Sequence, residues 1–170
     1  STSRRQRQMC IRDSIKTAVY DFSQRIWKAF EDGECALGIF LDLSKAYDCL
    51  DHSILLQKLE RYGVRGSALR WMASYLTNRT QRLEICKNNC RYLSNSVNVK
   101  IGIPQGSVIG PLLFIIFVND FAKAVNCNIV SYADDTNLLT TSKSLNSLIS
   151  HSSNYVREAS NWFTKNRLIL

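Results

Sequence analysis

Long hydrophobic runs are missing from this 170-residue chain. The longest, Val108 to Val118, falls well short of the roughly 20 apolar residues that a membrane-spanning helix needs, and no secretory signal is visible. Paired cysteines are missing as well. Six are present, but none forms a CxxC pair, and Cys86 and Cys90 lack a second pair at zinc spacing. A zinc ribbon is therefore excluded, and the pattern suggests reduced, partly buried thiols of an intracellular protein. Histidine is scarce: only His52 and His151 occur, so no histidine catalysis is assigned, and His52 is read as capping or orienting a helix start. Acidic residues are outnumbered 14 to 22 by Lys and Arg, a formal charge of +8 that favours a polyanionic partner such as nucleic acid. Repeats and low-complexity linkers are absent.

What is there suffices for one folded domain, since 45% of the residues are hydrophobic. The first fourteen residues, STSRRQRQMCIRDS, show no helical or strand period. They read as a basic, unstructured arm that resembles translated adapter sequence, set apart from a domain over 15–170. Apolar positions at Ile15, Ala18, Val19, Phe22, Ile26 and Ala29 recur at three and four, which predicts an amphipathic helix ending near Asp32-Gly33. Ala36 to Leu43 is apolar except for Asp42, the pattern of a strand covered on both faces. Asp51-His52-Ser53 offers caps for a helix that stops at Gly63, and Ser67 opens another that closes at Asn78. Alternating runs at 81–86 and 92–101 predict a hairpin. A helix is expected over 107–125, a second hairpin around Tyr132-Ala133-Asp134-Asp135-Thr136, and a last helix over 145–163. The order suggests an α+β domain with a mostly antiparallel sheet.

Two features invite chemistry. Asp42 interrupts an apolar strand, where an ionised carboxylate is costly without a compensating cation or donor, and Asp134 and Asp135 repel each other at a hairpin tip. One arrangement relieves both: the strand end lies beside the tip, and divalent ions bridge Asp42 and Asp134. Oxygen donors suit Mg²⁺, and two such ions can activate a 3′-hydroxyl and stabilise leaving pyrophosphate. Either feature alone is more often structural, because Asp is common in turns and helix caps. A third, independent feature is the loop GIPQGSVIGP, Gly102 to Pro111, whose three glycines and two prolines fix a backbone that can approach a flat ligand closely.

Taken in order, FLDLSKAYDCLDHSILLQKL, YLTNRTQ, GIPQGSVIGPLLFIIFVNDF, YADDTNLL and NWFTKNRLIL resemble the non-LTR (LINE-type) retrotransposon reverse transcriptases. The resemblance runs from about Ile15 onward. It implies the palm of a right-hand polymerase, a mostly antiparallel sheet backed by helices, with partial fingers and no thumb, as a piece of a longer polyprotein. The implied reaction is RNA-directed DNA synthesis, transferring nucleotides from deoxynucleoside triphosphates to a primer 3′-hydroxyl. The implied partners are an RNA template and a DNA primer, with two Mg²⁺ ions, Mn²⁺ being a possible substitute. No membrane partner is expected. The protein is expected inside the cell, and the family's insertion into host DNA implies the nucleus.

Residue by residue, the resemblance makes Asp42 and Asp134 metal ligands, joined by the Leu43 carbonyl and assisted by Asp135. Tyr47 falls where the family places an aromatic gate beneath the incoming sugar. RNA-dependent RNA polymerases usually carry Asp at that offset, whereas here it stands one later, at Asp48. A core aromatic is the other reading of Tyr47. Lys45 would meet the triphosphate, a solvated lysine being the alternative, and Gln105 with Gly106 would line the nascent base pair. Arg79 and Arg82 would meet nucleic-acid phosphates, or be exposed arginines of no special role. Two other functions remain open: an inactive remnant that binds nucleic acid, and another lineage such as an intron-encoded reverse transcriptase or an RNA-dependent RNA polymerase.

Overall fold

The computed structural model describes residues 15–43, 45–88, 90–104, 106–132 and 135–169. In chain order its elements are α1 (Ile15–Glu31), β1 (Cys35–Leu41), α2 (His52–Arg61), α3 (Gly66–Leu76), β2 (Arg79–Gln81), β3 (Glu84–Lys87), β4 (Cys90–Leu93), β5 (Val97–Val99), α4 (Gly110–Val118), α5 (Phe121–Ala124), β6 (Asn128–Tyr132), β7 (Asp135–Ser142) and α6 (Leu145–Lys165). They form two compact units, residues 15–46 with 118–169, and residues 47–117. The arm over 1–14 lies outside the described residues.

The first unit is built on a three-stranded antiparallel sheet in the order β1-β7-β6. Side chains alternate between its faces. On one face Phe22 of α1 packs beside Phe40, with ring centroids 5.8 Å apart, and over Gly38, where a Cβ would stand 3.2 Å from the Phe22 ring. The opposite face carries Ile129, Ser131 and Thr136, which line a cleft with Phe121, Trp162 and Phe163. Those three rings pack edge-on and tilted at 5.0–5.2 Å, a cluster that fastens α5 and α6 to each other.

β1 departs from the expected strand covered on both faces. Among the described residues it pairs with β7 alone, as an edge strand, and Phe40 remains 71% exposed. The strand buried on both faces is the central one, β7, where Leu138, Leu139 and Thr140 are successive buried residues. An apolar run without alternation did not tell these two positions apart. Val19 likewise leaves the expected stripe of α1 and is exposed, whereas Ala29 is buried.

In the second unit, Asp51 caps α2 by accepting the Ser53 and Ile54 N–H groups. The expected hairpin over 81–101 is divided in two. β3 pairs with β4 and β2 with β5, because Leu83 and Ser94 exchange local bonds, N–H to Oγ and N–H to carbonyl, that end the inner ladder. The helix expected over 107–125 begins only at Gly110, after turns in which Ser107 N–H donates to Pro104 and Gly110 N–H to Ser107. It breaks at Asn119-Asp120, where the Asp120 carboxylate accepts the Trp162 Nε1–H at 3.2 Å. Lys58 is buried, its ammonium donating to the Phe117 carbonyl at 2.6 Å near the end of α4 and lying 4.6 Å from that ring's centroid.

No helix among the described residues is long and apolar enough to cross a membrane. The cysteines among them are free, but the expectation of partial burial holds only for Cys49 and Cys127, while Cys35, Cys86 and Cys90 are exposed. Burial, with the Glu158 carboxylate adding to it, pushes the Cys127 thiol from 9.0 up to about 11. That lowers its thiolate fraction near neutral pH about a hundred-fold. Iodoacetamide labelling at pH 8, read by mass spectrometry, is expected to modify Cys86 and Cys90 while Cys127 stays largely unmodified. Equal labelling of all three would contradict this packing.

Candidate active site

Asp42 and Asp135 stand at one end of the first unit's sheet. The β1–β7 ladder closes on the pair Leu41 and Thr136, and the β6–β7 ladder on Tyr132 and Asp135. Asp42 directly follows Leu41, and Asp135 directly precedes Thr136, so the two stand at adjoining ends of neighbouring strands, which run about 4.8 Å apart. Directly opposed residues of an antiparallel pair point to the same face, which gives Asp42 and Asp135 a common side of the sheet if the pairing is extended by one step. Both are exposed.

Only Ala133 and Asp134 separate Tyr132 from Asp135, and both lie outside the described residues. The assignment of Asp134 therefore rests on the sequence, while its flanking strand pair rests on the fold. Among the described residues no three His, Cys, Asp or Glu side chains come together closely enough to hold one metal ion. Leu43 is anchored by its side chain, which is buried and lines the same cleft as Phe121 and Trp162. Lys45 is exposed and has φ +50, a left-handed conformation uncommon for a residue with a side chain.

Tyr47, in the second unit, is half-buried. One face of its ring stacks on Phe114 of α4 at 5.0 Å with a 28° tilt, and Phe114 is itself fully buried. The stack fixes the orientation of a ring that is only partly removed from solvent. The loop leading into α4 begins on this same segment: Ile103 N–H donates to the Tyr47 carbonyl at 2.8 Å. Gly106 has φ +75 and open space around its Cβ position. Gln105 lies outside the described residues.

Arg79 and Arg82 are not equivalent. Arg79 is half-buried, its Nη1 3.5 Å from the Gly102 carbonyl, whereas Arg82 is exposed beyond the end of β2. Arg79 lines a groove of about 620 Å³ together with His52, Ser53, Thr77, Asn98 and Lys100. Lys100 shares this groove with Arg79, a neighbourhood that the alternating run over 92–101 does not reveal.

The family model described as reverse transcriptase (RNA-dependent DNA polymerase) matches residues 3–170. The chain is 33% identical over 143 residues to the RNA-directed DNA polymerase from mobile element jockey of Drosophila melanogaster, a match covering 79% of this chain and 15% of that protein. A 31% identity over 123 residues, 68% of this chain and 13% of the relative, links it to the polymerase of the same name from Drosophila funebris. The chain thus spans about 15% of the length of the first of these curated relatives. In fold it is similar to apo telomerase from Candida tropicalis truncated from its C-terminal domain, with a TM-score of 0.59, 13% identity, and coverage of 93% of this chain and 34% of the telomerase.

Proposed function

The chain belongs to the reverse transcriptase family, on its non-LTR retrotransposon branch, and from that premise we propose that it carries the palm and part of the fingers of an RNA-directed DNA polymerase. The substrates are an RNA template, a DNA primer and deoxynucleoside triphosphates. Insertion of the product into host DNA would take place in the nucleus.

The observation that carries this reading is the strand register. Two carboxylates that are far apart in sequence, Asp42 and Asp135, flank the last pair of the β1–β7 ladder. Both are exposed, and their oxygens are hard donors. Mg²⁺ usually takes one or two carboxylates and fills its remaining positions with water and substrate phosphate, so this donor set fits it without a larger protein cage. Asp42, Asp134, Asp135 and the Leu43 carbonyl would hold two such ions, with Mn²⁺ able to replace them. When bound, the ions supply positive charge that makes the primer 3′-hydroxyl a better nucleophile and steadies the departing pyrophosphate.

The chain's own residues supply the positioning. Lys45, exposed on a constrained backbone, meets the triphosphate as a point charge. Tyr47, fixed by Phe114, sits beneath the sugar and excludes a 2′-hydroxyl. Gln105 and Gly106 line the nascent base pair, where shape counts for more than base identity. Arg79 and Arg82, with Lys100, contact template or primer phosphates, which makes binding weaker as salt rises.

Primer extension on an RNA template by the full-length protein tests the reading. The expected result is template-ordered incorporation of deoxynucleotides that requires a divalent cation. Template binding without any synthesis would instead favour the inactive remnant.

A further inference from the structure

In the second unit the backbone at Gly102 is pressed against the segment that carries Tyr47. Gly102 N–H donates to the Leu50 carbonyl at 2.7 Å, Ile103 N–H donates to Tyr47, and Asp51 bridges Ile101 in antiparallel fashion. A Cβ on Gly102 would stand 2.6 Å from the Asp48 carbonyl oxygen and 2.9 Å from its Cα, at φ +84. Only glycine permits that approach. The Gly102 carbonyl is then left to find a donor in a buried setting, because a buried backbone oxygen without a partner is costly.

The donor is His52. Its Nε2 lies 2.7 Å from the Gly102 oxygen, in a contact that joins residues 50 positions apart. A carbonyl can only accept, so Nε2 carries the proton. His52 is itself buried, in the first turn of α2, and its ring has no capping task because Asp51 performs it. Arg79 approaches the same oxygen at the longer distance of 3.5 Å.

We infer that His52 is a positioning residue that clamps Gly102-Ile103 onto residues 47–50, and so sets where the Tyr47 ring stands relative to the loop that leads into α4. The clamp makes His52 a determinant of sugar selection, a consequence that rests on the reading of Tyr47 as the gate. His52 touches neither substrate nor cation in this assignment. The bond it donates holds one backbone segment against another. A displacement of about 1 Å at a positioned group changes rates by up to about a hundred-fold, so a loosened clamp is readable in substrate choice.

Three substitutions in the full-length protein test this. His52→Gln puts an N–H where Nε2 stands, His52→Asn keeps a donor too short to reach Gly102, and Tyr47→Ala removes the gate. Amide exchange at Gly102 and Ile103 reports on the clamp without any reference to catalysis. The preference for deoxynucleotides over ribonucleotides, with KM and kcat read separately for each, reports its consequence. Exchange at both amides is expected to quicken at least about ten-fold in the Asn variant and to stay near wild type in the Gln variant. Sugar preference should fall about ten-fold in the Asn variant, mainly through KM for the deoxynucleotide, and recover in the Gln variant. Unchanged exchange in a folded Asn variant overturns the clamp. Quickened exchange with unaltered sugar preference overturns its link to selection, provided that Tyr47→Ala relaxes the preference. If Tyr47→Ala does not relax it, the gate reading fails, and the exchange data decide the clamp alone. Global unfolding of the Asn variant, with the Gln variant folded, would show a role in overall stability and overturn the local clamp.

Discussion

Replacing Asp42 by Asn, or Asp134 by Asn, in the full-length protein is expected to lower RNA-templated nucleotide incorporation by at least about a thousand-fold, or about 4 kcal/mol of transition-state stabilisation. Asn keeps the size of Asp and one of its oxygens while removing the charge. Asp42 is exposed, and it lies just past the last β1–β7 pair rather than within the ladder. Its substitution removes no packing, and folding should move by less than about 0.5 kcal/mol, as for other surface changes. A large loss of synthesis in a protein that melts normally is thus the signature of a catalytic carboxylate. If the loss of activity were matched by a loss of stability, the residue would be structural, and the register at the strand ends would have no functional meaning. Equal synthesis by wild type and either variant would refute the metal-binding assignment outright.

Tyr47→Ala carries the second-largest expected effect. The ring stacks on Phe114 and is half-buried; if it is the gate, truncation to Ala opens space where the 2′-hydroxyl of a ribonucleotide would fall. Ribonucleotide incorporation is expected to rise on the order of a hundred-fold relative to deoxynucleotide incorporation, the range over which a steric boundary in a binding pocket discriminates. Deoxynucleotide turnover should change far less. Competition between the two nucleotides on one template, scored by alkaline cleavage of the product strand, measures the ratio directly. An unchanged ratio would return Tyr47 to the core-aromatic reading, in which its contact with Phe114 is packing alone. Loss of the Phe114 stack costs stability as well, so the ratio is informative and the absolute rate is not.

Periodicity and motif order made much of this molecule legible before its fold was known. The helices α1, α2, α3 and α6 begin and end within a few residues of where apolar spacing and caps put them. The β6–β7 hairpin forms where it is expected, with Asp135 as the first residue of β7. What remained hidden was mostly three-dimensional context. An apolar run such as Cys35–Leu41 reads alike on an edge or in a centre, and pairing with a distant segment decides between them. At the break in the helix around Asn119-Asp120, the Asp120 carboxylate meets an indole from α6, more than 40 residues away, which no local window contains.

The site shows the same division. Asp42, Tyr47 and the glycine loop stand out because they sit inside recognisable strings, yet the long-range contacts of Tyr47 and of the loop do not. Phe114 beneath Tyr47 looked like one more apolar position in a helix, and His52 looked like a helix cap until the Gly102 carbonyl was found beside it. Groups that bond across long sequence separations leave no periodic trace, so the residues that position a site are harder to read than those that act in it.

The central claim is that the end of β1 and the β6–β7 tip share divalent cations. Iron-directed backbone cleavage tests it most directly: Fe²⁺ replaces Mg²⁺ in the full-length protein, ascorbate and peroxide are added, and the fragments are mapped. The account predicts cuts near residue 42 and near residues 134–135 in the same sample, both suppressed by excess Mg²⁺ and both lost in the Asp42→Asn variant. Cuts at one locus that persist without the other carboxylate would contradict it.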